Sequence, residues 1–196
     1  YCLQSKKSYR FFIAFSYAMI MSDFFNFLYS HIRGSNRVLL RLRAYSLLRY
    51  LVRSFANLVL PTYFRVTSKS RGHRLGDQSL DRNTTGIIVS LTTYPGRIDT
   101  VWLAIETLLR QKIKPDMVIL WLSKDQFPNL GTLPHSLLQL ANRGLRIELR
   151  DGDLRSHKKY YFARQEFPNA TLVLADDDIF YPSNMLKDLL SISRLY

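Results

Sequence analysis

The chain has 196 residues, 47% hydrophobic and 13% aromatic, which is enough for a packed core and too apolar for a disordered protein. Its formal net charge is +13, and the excess lies in residues 1–85, where 14 Lys or Arg face three acids, whereas residues 86–196 carry 14 against 12. The single cysteine, Cys2, excludes a disulfide-stapled extracellular module and favours a reducing compartment.

Residues 1–66 are predicted to form a basic amphipathic helical region. Residues 11–29 have about the length of a membrane span, but Asp23 and Asn26 interrupt the apolar run. The interruption favours a helix that is buried or lies in a membrane interface over one that crosses the bilayer.

A second helical stretch is predicted from Arg37 to Leu60, with Pro61 as its end. Basic residues recur along it at multiples of four: Arg37, Arg41, Arg49 and Arg53. This spacing places guanidinium groups along one side of an apolar helix. Two interpretations stay open, a helix on an anionic membrane surface and an ordinary amphipathic helix packed on the domain. Basic helices without a recognised motif do not indicate nucleic-acid binding.

Residues 67–85 are polar and are predicted to be a linker, and residues 86–196 then alternate strands with helices. Four strands are predicted, at Gly86 to Thr92, Met117 to Leu122, Leu145 to Arg150 and Leu172 to Ala175. The third alternates strictly and is predicted at a sheet edge, and the uninterrupted fourth as a central strand buried on both faces. The predicted fold class is therefore α/β, a mostly parallel sheet with flanking helices in a Rossmann-like nucleotide-binding half.

Three consecutive carboxylates, Asp176, Asp177 and Asp178, follow the fourth strand directly. Like charges beside a buried strand repel one another and lose hydration, and a hard divalent cation with oxygen ligands offsets both effects. The alternative is a solvated acidic turn. Because ligands bind at the carboxyl ends of parallel strands, the cluster is expected to share a crevice with residues 92–97 and 151–153.

The neighbouring loops supply candidate ligands for a nucleotide. Arg97, Lys158 and Lys159 are predicted to contact phosphate oxygens, and Tyr94 or Tyr160 to stack on a base. The sequence has no Gly-rich dinucleotide fingerprint, Walker lysine or Gly-x-Ser-x-Gly elbow, which argues against a nicotinamide dehydrogenase, a P-loop ATPase and an α/β-hydrolase. An α/β nucleotide site that uses Mn²⁺ or Mg²⁺ remains.

Four motifs, taken in order, resemble GT-A fold, family-2-like glycosyltransferases of bacterial surface-polysaccharide synthesis. They are Ile88-Val89-Ser90-Leu91-Thr92-Thr93-Tyr94-Pro95-Gly96-Arg97, Gln111-x-x-Lys114-Pro115-Asp116, Lys158-Lys159-Tyr160-Tyr161 and Asp176-Asp177-Asp178-Ile179-x-Tyr181-Pro182. The resemblance covers about residues 86 to 190, and the acidic motif is similar to the family's Asp-x-Asp.

The resemblance implies a nucleotide-diphosphate sugar as donor, a UDP-sugar above all, a glycan or lipid-linked acceptor, and Mn²⁺ or Mg²⁺ as cofactor. It implies that Asp178 is the principal metal ligand and that Asp176 contacts the metal or the ribose. It implies further that Thr92, Thr93 and Tyr94 line the nucleoside pocket and that Asp153 lies near the base. The predicted donor-binding set is completed by Arg97, Lys158, Lys159, Asp176 and Asp177.

The chain departs from the family pattern at the end of the second strand, where Ser123-Lys124-Asp125 replaces an expected acid. The resemblance places the acceptor site and the catalytic base beyond Tyr196, so residues 86–196 are expected to be the donor-binding half, and no catalytic residue is assigned. The expected location is cytoplasmic and peripheral on the inner face of the membrane. Two other functions stay open, a metal-dependent nucleotidyl or phosphoryl transferase and a membrane-associated scaffold with a structural cation.

Overall fold

The computed structural model describes residues 21–32, 44–68 and 85–193. The chain divides into two compact units, Tyr1–Arg71 and Gly72–Tyr196. The division falls within the predicted linker, most of which lies outside the described residues.

Unit 1 contains two described helices, α1 over residues 21–31 and α2 over Ala44–Ser68. The rings of Phe25 and Phe55 join them, with centroids 6.0 Å apart. Arg49 donates from Nη2 and Nε to the carbonyl of Ile32 at 2.7 and 3.0 Å, and its guanidinium lies 5.7 Å from the ring centre of Tyr29. One arginine of the predicted row therefore holds the two helices together.

Pro61 lies inside α2, so the prediction that it ends the helix is wrong, and the helix continues to the first residues of the predicted linker. A proline in a helix interior costs about 3 kcal/mol because it removes a hydrogen bond and crowds the preceding turn. Leu60 and Phe64 flank it on one face and are fully buried. Since burying one such side chain contributes about 1.5–3 kcal/mol, packing on both sides of the proline offsets its cost.

Across residues 21–32, 44–68 and 85–193, no helix is both long enough and apolar enough to cross a bilayer. The predicted interfacial stretch, residues 11–29, is described only from residue 21 onward. Arg37 and Arg41 of the predicted basic row also lie outside the described residues.

Unit 2 alternates strands and helices from its first described element. In chain order these are β1 (Ile87–Thr92), α3 (Val101–Leu109), β2 (Met117–Ser123), α4 (His135–Ala141), β3 (Leu145–Arg150), α5 (Lys158–Glu166), β4 (Thr171–Leu174) and α6 (Met185–Ser193). The four strands form one sheet in the order β3-β2-β1-β4, and every pair is parallel. The predicted α/β class is confirmed.

The sheet order corrects one prediction about its edges. β3 lies at an edge as expected, but β4 lies at the other edge of the described sheet and not at its centre. Leu174 is 46% exposed, and only Val173 of this strand is buried. An apolar run of four residues indicates a strand whose two faces are covered by other elements. It does not indicate where the strand lies in the sheet, because the crossover connections set the strand order.

The centre of unit 2 is β2, whose seven residues are all buried. On one side the core includes Trp121, Phe167 and Ala163, and α3 is buried along almost its whole length. This packing fixes the carboxyl end of β1, from which one loop of the candidate site departs.

A buried ion-pair cluster lies on α3. Glu106 is fully buried and accepts hydrogen bonds from Arg110, one turn later, and from Nη1 of Arg143 at 2.5 Å. Both arginine side chains are themselves largely buried. The single carboxylate thus pairs with two guanidinium groups and joins α3 to the residues that follow α4.

Candidate functional site

The loop after β4 presents its three carboxylates in two different ways. Asp177 turns inward, with its side chain 10% exposed, and accepts hydrogen bonds from Thr93 Oγ1 at 2.6 Å and Arg97 Nη1 at 2.8 Å. Asp176 and Asp178 face solvent, with side chains 59% and 46% exposed. Two accessible carboxylates thus flank a buried one at the carboxyl edge of the sheet.

Arg97 ends the short helical turn Pro95–Arg97 that follows β1. Its Nη1 contacts Asp177 and also Asp178, the latter at 3.0 Å. The hydrogen bond to Asp177 raises the pKa of the guanidinium above its ordinary value, and both aspartates add to this electrostatically. The loop after β1 and the loop after β4, about 80 residues apart in the chain, are therefore joined by one side chain.

Tyr94 precedes this turn and its ring is half exposed. The Arg97 guanidinium lies 5.6 Å from the ring centre, and a Cβ on Gly96 would come within 2.7 Å of the ring edge. Gly96 is therefore required for the close approach of the tyrosine ring to the backbone. The exposed part of the ring is available to stack on a planar group.

Lys159 pairs with the first carboxylate. Its Nζ lies 2.6 Å from Asp176 Oδ1 and 3.2 Å from the carbonyl of Ala175. The backbone that carries it is held by Ser90, whose hydroxyl donates to the Lys159 carbonyl at 2.5 Å and accepts from Trp121 Nε1 at 2.9 Å. A buried serine of β1 thus fixes the first turn of α5 against the sheet.

Asp153 and Lys158 form a second polar cluster after β3. Lys158 is 2% exposed, and its Nζ lies 2.7 Å from Asp153 Oδ1. Asp153 also accepts from the backbone N–H of Arg155 and from Gln126 Nε2, at 2.9 and 2.8 Å. The hydrogen bond from Lys158 holds the pKa of the Asp153 carboxyl below its ordinary value, and the Arg155 N–H acts in the same direction.

The predicted site residues therefore fall into two groups. Asp176, Asp177 and Asp178 are in contact with Arg97, Thr93 and Lys159, whereas Asp153 and Lys158 contact one another. The hydroxyl of Thr92 donates a hydrogen bond to the carbonyl of Trp121 on β2 at 2.7 Å. The hydroxyl proton of Thr92 is therefore engaged by a neighbouring strand of the sheet. Tyr160 is exposed on the first turn of α5.

Two residues that shape the acidic loop have no predicted role. The backbone N–H of Asp176 donates to the hydroxyl of Tyr181 at 2.6 Å, and burial raises the pKa of that hydroxyl. Gln111 is fully buried, donates to the carbonyl of Pro182 at 2.7 Å and accepts from the N–H of Leu186 at 3.1 Å. Gln111 belongs to the motif Gln111-x-x-Lys114-Pro115-Asp116, but its burial, which makes its amide need partners on another segment, is visible only in the structure.

The fit of a divalent cation depends on Asp176 and Asp178. Within the described part of the chain, no group of three or more His, Cys, Asp or Glu side chains is arranged to hold a metal ion. Mg²⁺ is commonly bound through only one or two carboxylates, with water and substrate phosphates as the other ligands. Asp176 and Asp178 supply two accessible carboxylates of this kind, and each is paired with a basic side chain, Lys159 and Arg97 respectively.

Unit 2 is thus an α/β protein with an all-parallel, Rossmann-like sheet and a charged cluster at the carboxyl ends of β1 and β4. Compared with known proteins, the chain matches no family model, no curated protein and no solved structure. Its function is therefore argued from the residues of the site.

Proposed function

We propose that the protein is a glycosyltransferase that moves a sugar from a nucleotide-diphosphate sugar, a UDP-sugar, to a polysaccharide or glycolipid acceptor. The observation that carries the proposal is the alternation at residues 176–178, where the central carboxylate is buried and the outer two face solvent. The order of the sequence motifs supports the same assignment. The acceptor site and the catalytic base are not assigned to residues of this chain.

Asp176 and Asp178 would hold the Mn²⁺ or Mg²⁺ ion of such an enzyme. When bound, the cation neutralises the diphosphate and acts as a Lewis acid on the departing phosphate oxygen. Asp177 positions both neighbours, because its own carboxylate is held by Thr93 and Arg97 and fixes the loop backbone between them. The exposed ring of Tyr94 is proposed to stack on the base of the nucleotide.

Titration calorimetry with UDP-glucose tests this function. Binding to the wild-type chain is expected to require Mn²⁺, and Asp178→Asn is expected to weaken it at least about tenfold, since a charged metal ligand is lost. Asp188→Asn, which alters an exposed carboxylate on α6, is the matched control and should bind as the wild type does. Binding that is independent of metal and unchanged in Asp178→Asn would refute the proposed site. Release of pyrophosphate from a nucleoside triphosphate would instead indicate a nucleotidyl transferase.

We also propose that unit 1 binds peripherally to the inner, cytoplasmic face of an anionic membrane. Residues 1–71 carry 12 Lys or Arg against one acid, Asp23. Helix α2 exposes an apolar stripe with helical spacing, formed by Leu47, Leu51, Phe55 and Leu58. An exposed apolar stripe in a strongly basic unit is the pattern of a helix that lies in a membrane interface.

Sedimentation of the full chain with lipid vesicles measures this interaction. Vesicles that contain phosphatidylglycerol should bind the chain, and Leu51→Glu should reduce the binding about tenfold because an inserted leucine is replaced by a charge. Asn57→Glu adds the same charge at another exposed position of α2 and is expected to have the smaller effect. Equal binding to uncharged phosphatidylcholine vesicles would refute the preference for an anionic surface, and equal binding of the two variants would refute insertion of the apolar stripe.

A further inference from the structure

We propose that α1 and α2 insert into the membrane interface together, as one preformed helical hairpin that Arg49 holds closed. The inference rests on the peripheral membrane binding proposed for unit 1, and it deepens that proposal in two respects. It assigns to α1 a face that contacts lipid. It also assigns to Arg49 the role of a positioning residue, which acts through the placement of α1 and not through its charge alone.

Helix α1 has an exposed apolar face of its own. Phe24 and Phe27 are 53% and 59% exposed, and Leu28 is partly buried. The three residues follow the spacing i, i+3, i+4 and therefore lie on one side of the helix. A single exposed apolar side chain is ordinary in a folded protein, whereas a contiguous apolar surface marks a site of interaction.

A row of three phenylalanine rings connects this face of α1 to the apolar stripe of α2. The ring centroids of Phe24 and Phe25 are 5.8 Å apart, and those of Phe25 and Phe55 are 6.0 Å apart. Phe25 is 8% exposed, whereas Phe55, like Phe24, is more than half exposed. The two helices thus present one continuous apolar surface with a buried ring at their junction. Phe and Leu side chains opposite a basic face are typical of helices that lie in a membrane interface.

Arg49 holds the junction from the other side of α2. It precedes Leu51 by two residues, which places it about 160° around the helix from the centre of the exposed stripe. Its two hydrogen bonds reach the carbonyl of Ile32, immediately after α1, where a helix leaves carbonyl groups without intrahelical partners. Its guanidinium also lies against the ring of Tyr29. A surface that already has its binding geometry loses less conformational entropy when it binds.

The charge of unit 1 decides between a bilayer and a second copy of the chain as the occupant of this surface. Residues 1–71 carry 12 Lys or Arg against one acid. Pairing two copies brings two strongly positive units together, which is repulsive, whereas anionic headgroups attract each basic residue near them. The occupant that fits is therefore an anionic bilayer.

Arg49→Gln and its matched control Arg53→Gln remove the same charge from α2, but only the first breaks the hydrogen bonds to Ile32. In sedimentation of the full chain with phosphatidylglycerol vesicles, Arg53→Gln is expected to weaken binding about fivefold through the lost charge. Arg49→Gln is expected to weaken it at least about tenfold more than Arg53→Gln does, because α1 is no longer held in place. Without lipid, the amides of residues 21–32 should exchange hydrogen faster in Arg49→Gln and as in the wild type in Arg53→Gln.

Phe24→Glu tests the face of α1 in the same vesicle measurement. It is expected to reduce binding about tenfold, because an inserted ring is replaced by a charge. Ser30→Glu adds the same charge at another exposed position of α1 and should have the smaller effect.

The outcomes separate this inference from the membrane binding on which it rests. If the wild type binds but Phe24→Glu equals Ser30→Glu, or Arg49→Gln equals Arg53→Gln, the hairpin is overturned and the peripheral binding of unit 1 stands. No binding of the wild type to vesicles would refute both. A dimer in sedimentation equilibrium without lipid that Phe24→Glu dissociates would identify a second copy as the occupant and overturn the inference.

Discussion

Replacement of Glu106 by leucine is expected to lower the free energy of unfolding by about 3–5 kcal/mol, since removing one partner of a buried ion pair leaves uncompensated charge in the core. The charge left behind belongs to Arg110 and Arg143, both of which donate to Glu106. Urea denaturation followed by circular dichroism measures the change, and an unaltered slope of the transition shows that the extent of unfolding is the same.

Two further variants separate burial from charge pairing in this cluster. Asp151→Asn removes a carboxylate that pairs with Lys124 at the surface, where the two side chains are 87% and 48% exposed, and such pairs contribute about 0–1 kcal/mol. The triple variant Glu106→Leu, Arg110→Met, Arg143→Met replaces the whole cluster by apolar side chains and should recover much of the lost stability. Equal destabilisation by Glu106→Leu and Asp151→Asn would contradict the burial of Glu106 as the cause.

Replacement of Asp177 by alanine is expected to weaken Mn²⁺-dependent binding of UDP-glucose more than about tenfold, although this carboxylate is buried. Thr93 and Arg97 would lose their common acceptor, and the loop that holds Asp176 and Asp178 would lose its attachment to the end of β1. The loss of hydrogen bonds to a charged acceptor is also expected to cost about 1.5–3 kcal/mol of stability.

Calorimetry and urea denaturation of the same preparations measure both effects of Asp177→Ala. Thr93→Val removes only one of the two hydrogen bonds and is expected to show a smaller change in the same direction. Asp99→Ala alters an exposed carboxylate of the loop before α3 and serves as the matched control. If Asp177→Ala binds the donor as tightly as Asp99→Ala does, Asp177 does not position the site.

The class of unit 2 could be predicted because the relevant signals are local. Each strand is a short apolar run, and a helix lies between each strand and the next, as α3 does between β1 and β2. A helix in this position is typical of the crossover that joins two parallel strands. The edge position of β3 followed from the alternation of Leu145, Ile147 and Leu149 with charged residues. The edge position of β4 did not, because strand order depends on long-range packing that a four-residue segment does not express.

The residues of the charged cluster were predicted, but the partner of each was not. Arg97 was expected at a phosphate and lies on Asp177 and Asp178, and Lys159 lies on Asp176. Ion pairs between loops depend on distances that the sequence leaves open until the sheet order is known. Glu106 within the apolar α3, with Arg110 four residues later, was a visible local signal, whereas Arg143 lies 37 residues from Glu106.

The pairing of β4 with β1 has a consequence for the order in which the molecule folds. Thr93 and Asp177 are 84 residues apart, whereas β1 and β2 are joined by a single crossover. Closing the longer loop costs more entropy, and non-local pairing slows folding. We therefore expect β1, β2 and β3 to associate first, with the acidic loop reaching Thr93 and Arg97 only when β4 docks. The ion pairs of the charged cluster would then form only after β4 has paired with β1.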